Sequence, residues 1–218
     1  PVPVPLGQGV AGKGYPYRWS VCRWLEGEDA LRAGTVDLQQ AAVDLAGFIA
    51  ALRTIDPSEG PPPGAHNFGR GAPLAERDGR VGAAISSLDG IVDTDAARAA
   101  WAKATEAPAW AGPNVWLHGD LLPGNLLVRH GRLSGIIDFG GLGVGDPACD
   151  LMVAWTVLDS RSRAVLREIL AVDEATWERA RGWALSMGLI VLPYYRDSNP
   201  VLVGIARRAI DEVLADRG

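Results

Sequence analysis

Apolar residues recur at near-helical spacing through VDLQQAAVDLAGFIAALRTI, where Val36, Ala42-Val43, Ala46, Ile49 and Leu52 share one side of a helix. Thr35 is its expected N-cap and Asp56-Pro57 its end. Upstream, the aromatic and β-branched run YPYRWSVCRWL (15–25), followed by Glu26-Gly27-Glu28, predicts one strand leading into a connector. It is the only strong strand signal in the first hundred residues. The proline-alternating opening PVPVPLGQGV reads as linker or loop. Residues 57–80 hold five prolines, with Pro61-Pro62-Pro63-Gly64 near their head, and read as a long exposed loop. Short helices are expected at 81–89 and 95–107, the second capped by Thr94 or Asp95.

The pattern changes at Pro113. Residues 115–118, 125–129 and 132–138 read as short strands, the last two joined by the two-residue turn His130-Gly131. After Gly145 the chain reads as helical to its end. Asp146 caps a first helix with Pro147 at its first position, through LMVAWTVL; a second starts near Ser160, a third at Asp173 and a last at Asn199-Pro200. The expected fold class is α+β, a mainly helical domain with a small β-hairpin carrying the polar residues.

Composition narrows the function classes. With 48% hydrophobic and 22% charged residues in 218, the chain is globular rather than disordered. It has no run of eighteen apolar residues and no basic, signal-like start, so no membrane partner is expected and the cytoplasm is the expected location. A net charge of −5 without a Lys/Arg-rich block removes nucleic acid as an expected partner; the acidity suits a cationic ligand but is ordinary for a soluble protein. Cys22 and Cys149 each lie in apolar segments and read as buried thiols. The start at Pro1 rather than Met suggests a fragment.

The chemistry concentrates in His118-Gly119-Asp120-Leu121-Leu122-Pro123-Gly124-Asn125, with Asp138-Phe139-Gly140 coming thirteen positions after the asparagine. The spacing matches the protein-kinase pattern H-R-D, an asparagine five residues later, then D-F-G. Phosphoryl transfer needs a base or orienting group at the incoming hydroxyl and oxygen ligands for Mg²⁺ on the phosphates. Asp120, Asn125 and Asp138 supply such groups. A lone Asp beside Gly is usually a turn or cap residue, and it is the ordered combination that carries the functional reading. His118 reads as a hydrogen-bonding residue within the loop rather than a proton-transfer group.

Hairpin geometry gives a second argument. If Arg129 pairs with Arg132, Asn125 lies opposite Ile136, and Asn125 and Asp138 project from one face at the open end, provided no bulge intervenes. Leu127 shares that face and offers an apolar floor for a purine.

HGDLLPGN, IDFG and GDPACDL in this order resemble the aminoglycoside phosphotransferase family, over roughly residues 15–215 and most specifically 116–151. The resemblance implies a protein-kinase-like fold, with residues 1–28 as linker and hinge remnant of an N-terminal lobe that is largely absent, and 29–218 as the helical C-terminal catalytic lobe. It implies ATP or GTP with Mg²⁺, Asp120 as catalytic base, Asn125 and Asp138 as metal ligands, and His118, Asp146 and Asp150 as supports of the catalytic loop. The backbone of Cys22, Arg23 and Trp24 would face the base edge. Ile137 would touch the base as well, although strict alternation puts it opposite Asp138, which requires a local distortion.

The implied reaction moves the γ-phosphoryl of a nucleoside triphosphate to a hydroxyl of a small-molecule alcohol, with aminoglycosides favoured and Asp159 and Asp197 as candidate carboxylates for a polycation. The alternatives for those two are an N-cap and a solvated turn, and Trp155 and Tyr194-Tyr195 could instead line a pocket for a bulky neutral acceptor. The lysine, its glutamate partner and the nucleotide-covering loop of such enzymes find no match before Tyr15, and Lys13 reads as a solvated loop residue. This chain alone is therefore expected to bind nucleotide weakly and to be inactive, and the rival function is a non-catalytic kinase-like binding module or an inactive fragment lacking the ATP-lysine lobe. A metal-dependent hydrolase would need a His-rich ligand set that is not visible.

Overall fold

The computed structural model describes residues 1–216. Antiparallel pairing builds three small sheets: β1 (Pro5–Gly9) with β2 (Trp19–Cys22); β3 (Glu28–Asp29), β5 (Leu126–Arg129) and β6 (Arg132–Ile136) in the order β3-β5-β6; and β4 (Val115–Leu117) with β7 (Gly143–Gly145). The opening stretch is thus a strand and not a linker, because residues 5–9 find a partner in 19–22. Cys22 lies on the outside of that ladder and is exposed, contrary to expectation, while Cys149 is buried and its thiol pKa is pushed up by that burial. Strand β3 spans the expected boundary at residue 28 and ties the hinge segment to the hairpin by hydrogen bonds as well as by chain.

The helices pack around a central 22-residue helix. They are α1 (Leu38–Arg53), α2 (Asp78–Ser87), α3 (Thr94–Glu106), α4 (Val153–Thr156), α5 (Ser160–Ile169), α6 (Glu174–Tyr195) and α7 (Pro200–Ala215). Thr176 to Leu189 of α6 are buried at every position, which an amphipathic surface helix could not be. Trp155, fully buried, stacks at 4.7 Å on Trp177 of α6 and donates to Asp216, so it serves the core. No helix among the described residues is long and apolar enough to cross a membrane.

Several boundaries move, and each move has a local cause. Asp37 rather than Thr35 caps α1, accepting from Gln40 N–H, and Asp93 rather than Thr94 or Asp95 caps α3, accepting from Ala96 N–H. Leu45 joins the core in place of the expected Val43, and Val43 is exposed. Asp146 does cap its turn, accepting from Ala148 N–H, but it leads into a 3₁₀ turn and only four α-helical residues. Residues 57–80 are not exposed throughout: they hold 3₁₀ turns at Ala65–Asn67 and Leu74–Arg77, with Asn67, Gly71, Ala72 and Leu74 buried, and α2 begins at Asp78.

That segment lies close against β7 because two of its three residues, Gly143 and Gly145, have no side chain, and Val144 packs against Gly60. A Cβ on Gly145 would stand 2.4 Å from Gly71 O, and one on Gly143 2.7 Å from the Asn67 side-chain amide. Gly145→Ala is therefore expected to cost about 1–3 kcal/mol through overpacking. Gly47→Ala, mid-helix with open space around it, should stabilise by about 0.4–1 kcal/mol. Thermal denaturation of the two variants checks both signs; a neutral Gly145→Ala would mean that the segment does not rest on β7.

Candidate active site

The loop 118–125 is held from below by a buried carboxylate. Asp150 accepts from His118 N–H at 2.8 Å and from Gly119 N–H at 2.7 Å, one on each oxygen. Burial pushes its pKa up, against the pull of His118, the two N–H donors and Arg53. Arg53 donates to Pro147 O, and its own pKa is lowered by burial against the attraction of Asp150 and Asp146. Asp146 sits further off, paired with Arg179 at 2.7 Å. It anchors the start of its turn to α6 and makes no hydrogen bond to loop 118–125 among the described residues.

His118 ties the loop to the strand that delivers Asp138. Its Nδ1 accepts from Asp120 N–H at 3.2 Å, and its Nε2 lies 3.1 Å from Ile137 O, so the ring proton sits on Nε2 and is donated there. The ring packs at a tilt against Phe139, centroids 4.6 Å apart, with Phe48 of α1 against both. One imidazole thus fixes Asp120 and the Asp138-Phe139 step relative to each other.

Hairpin register agrees with expectation only halfway. Arg129 pairs with Arg132 across a turn whose residues both have positive φ (His130 53°, Gly131 75°), the type I′ geometry, and Val128 pairs with Leu133. Ser134 is then extruded as a bulge, its hydroxyl donating to Glu26 O, so Leu127 faces Gly135 and Leu126 faces Ile136. Asn125, in the 3₁₀ turn Pro123–Asn125, therefore lies beside Ile137, whose N–H it accepts at 3.0 Å, and not opposite Ile136. The shift puts Leu127 and Ile137 on one face, and Asp138 turns away through a left-handed conformation (φ 63°, ψ 71°). These are the distortions that let Ile137 share a face with Leu127 although Asp138 comes directly after it.

A cavity of about 500 Å³ opens on that face, and its lining includes Cys22, Arg23, Trp24, Leu127 and Ile137 together with Gly124. The five residues expected to meet a nucleotide base thus line a single space. Beside it, Asn125 Nδ2 donates to Asp120 O at 2.9 Å and to Asp120 Oδ2 at 3.0 Å, which leaves the Asn125 oxygen free. Asp138 is exposed and spends one oxygen on Gly140 N–H, leaving the other free. Among the described residues no cluster of three or more His, Cys, Asp or Glu could cage a metal ion. This donor set of one amide oxygen and one carboxylate fits Mg²⁺, which takes few protein ligands and completes its shell with phosphates and water.

The two acceptor candidates stand apart from this arrangement. Asp159 is the N-cap of α5: it accepts from the Ser162 hydroxyl and from Ser162 N–H, and these two bonds, the hydroxyl's first, hold its pKa below the ordinary value. Asp197 lies on the turn between α6 and α7, its side chain 90% exposed. A residue that sequence reasoning missed enters instead. Arg70 donates to Asp120 Oδ1 at 2.5 Å, across fifty positions, from a segment expected to be loop.

A family model described as the phosphotransferase enzyme family matches residues 1–183. Among solved structures, the GDP complex of a mutant aminoglycoside 2′-phosphotransferase superposes with TM-score 0.64 at 18% identity, over 99% of this chain and 75% of that one. A macrolide 2′-phosphotransferase type I gives 0.59 at 18%, over 91% and 71%. The apoenzyme of a macrolide 2′-phosphotransferase from Brachybacterium faecium gives 0.55 at 19%, over 100% and 75%. At these identities the likeness is one of fold. No curated protein matches the chain.

The capping of α5 separates two roles for Asp159. Asp159→Ala should cost about 1 kcal/mol of stability, whereas Asp159→Asn, which keeps the cap, should behave like wild type in both stability and ligand affinity. Because hydrogen bonding lowers the Asp159 pKa, this stabilisation is present above the ordinary Asp value and is lost as the pH falls through the depressed one, so the alanine difference should shrink in acid. Denaturation curves against pH, with acceptor affinity measured alongside, check this; a weaker acceptor affinity in Asp159→Asn would restore it as a ligand group.

Proposed function

Because the chain belongs to the phosphotransferase enzyme family, we propose that it transfers the γ-phosphoryl group of ATP or GTP, in the presence of Mg²⁺, to a hydroxyl of a small molecule. The observation that carries this reading is the lock between Asn125 and Asp120: one amide group bonds the backbone and the carboxylate of Asp120 and leaves its own oxygen free, in a residue whose backbone accepts from the N–H of Ile137, the neighbour of Asp138. Asp120 is the group that receives and orients the acceptor hydroxyl. Asn125 and Asp138 hold the metal, which when bound neutralises charge on the phosphates. The base of the nucleotide lies in the 500 Å³ cavity against Leu127 and Ile137, with the Cys22–Trp24 backbone at its edge.

His118 and Asp150 act through the loop rather than on substrate. His118 keeps the Asp120 and Asp138 backbones in register, and Asp150 keeps the loop from relaxing. The solved relatives are phosphotransferases of aminoglycosides and macrolides, and the feature common to those acceptors is a hydroxyl on a small molecule. That common feature is what is proposed here.

Two substitutions test the assignment. Asp138→Ala should abolish Mg²⁺-dependent nucleotide binding and transfer, measured by calorimetry and by a phosphate-transfer assay; near wild-type behaviour would sink the site. Asp120→Asn should leave nucleotide affinity intact while lowering kcat by roughly 10²-fold or more, the usual size of a general-base contribution. An equal loss of nucleotide affinity would make Asp120 a metal ligand instead.

A further inference from the structure

Arg70 is built into the catalytic loop and is not a surface residue that happens to touch it. Its aliphatic stem lies where two glycines leave room: a Cβ on Gly119 would stand 2.9 Å from Arg70 Cδ and one on Gly141 3.6 Å from it. Its guanidinium stands over the Phe68 ring at 5.5 Å and reaches Asp120 Oδ1, while Asn125 holds Oδ2. Asn67, fully buried, holds the segment in place by accepting from Gly64 N–H and donating to Arg70 O. The Asp120 carboxylate is thus flanked by an amide on one oxygen and a positive charge on the other.

Two further guanidiniums lie on the same stretch of chain. Arg77 donates to the Ser186 hydroxyl at 2.6 Å and lies over the Trp183 ring at 4.7 Å. Its pKa is lowered to about 10 by burial and by the charges of Arg80 and then Arg70, partly offset by Cys149, so Arg80 and Arg70 each lie close enough to Arg77 to repel it. Arg80 is exposed and pairs with no carboxylate among the described residues. Phe68, Gly69, Glu76, Arg77 and Arg80 help to line a cavity of about 480 Å³, and Phe68 is the residue over which Arg70 stands. Phe68 thus connects the cavity wall to the arginine that bonds Asp120. The lining carries one carboxylate, Glu76, against two guanidiniums, Arg77 and Arg80, and Arg70 adjoins it through Phe68.

A polycationic acceptor entering here would meet two guanidiniums against one carboxylate and would have to displace Arg70 to reach Asp120. An unpaired guanidinium in a cavity, here that of Arg80, favours the opposite partner, since it forms charge-assisted hydrogen bonds with carboxylate or phosphate oxygens. We propose that Arg70 and Arg80 make this an acceptor pocket for an alcohol that carries a carboxylate or phosphate group, and that they exclude polycations. The proposal rests on the phosphotransferase reading. The anionic group binds Arg80 and the rim, and the hydroxyl reaches Asp120 alongside Arg70. In the transfer step, the acceptor oxygen forms its bond to the γ-phosphorus as the bond from that phosphorus to the β-bridging oxygen breaks, leaving the nucleoside diphosphate, and the hydroxyl proton passes to Asp120.

The test uses four probes on the whole chain: glucose 6-phosphate, gluconate, glucose and kanamycin, titrated by calorimetry at low and moderate salt. Glucose 6-phosphate or gluconate should bind at least ten times more tightly than glucose, weaken with salt, and lose roughly tenfold or more in affinity in Arg80→Glu and in Arg70→Ala. Kanamycin should not bind. Arg80 is exposed, so its variant folds, and unchanged MgATP or MgGTP affinity in it confirms that the effect is local to the acceptor. Kanamycin binding that is unchanged in Arg80→Glu would overturn the proposal, as would the lack of any preference for the anionic probes. Failure of the phosphotransferase reading would show separately, as nucleotide affinity indifferent to Asp138→Ala. If an anionic probe serves as acceptor in a transfer assay, the Arg80→Glu effect should fall on its KM with kcat within about twofold, a split that general misfolding would not produce.

Discussion

A carboxylate shut away from water must have its oxygens satisfied or lose its charge, and Asp150 meets that demand with two consecutive backbone N–H groups of the catalytic loop. The arrangement works in both directions. The loop stabilises the buried charge, and the charge holds His118-Gly119 in a turn that Gly119 alone can adopt without strain, at φ 77° and with Gly141 O 2.5 Å from where a Cβ would be. From that fixed turn, His118 reaches Ile137, Asn125 reaches Asp120, and Arg70 finds the gap left by two glycines. Loosening Asp150 would release all three contacts together.

Much of this was legible in the chain because the signals were local. The His130-Gly131 turn has a residue pair suited to positive φ, so the Arg129–Arg132 pairing could be derived from two positions. Caps at Asp173 and Asn199 were legible for the same reason, since an N-cap side chain bonds an N–H only three residues on. Tertiary contact set the features that escaped. The bulge at Ser134 depends on Glu26 O and on Leu25 packing over Gly135, a hundred positions upstream. The burial of Asn67 and Gly71 depends on two glycines in β7, so a segment whose prolines and glycines read as an exposed loop packs closely at those points.

Arg70 illustrates the same limit at the level of function. Asp120, Asn125 and Asp138 belong to a spaced pattern and were found through it, whereas no spacing rule links position 70 to position 120. The only local sign is an arginine between glycines in a segment of turns. Net charge was equally uninformative: the chain is acidic overall, at −5, yet the cavity walled by Phe68, over which Arg70 stands, carries two guanidiniums against one carboxylate. An acceptor's charge is read by the few side chains it touches, and the average over the surface says little about them.

The central claim is that Asn125 and Asp138, and not Asp120, hold the metal of a bound nucleoside triphosphate. Crystals grown with Mn²⁺ and a non-hydrolysable triphosphate, with manganese located by its anomalous scattering, test it directly. The account predicts manganese coordinated by the Asn125 side-chain oxygen and the Asp138 carboxylate, with the base against Leu127 and Ile137 and the Asp120 carboxylate still bonded to Asn125. Manganese bound through Asp120, with Asn125 and Asp138 uncoordinated, would contradict it.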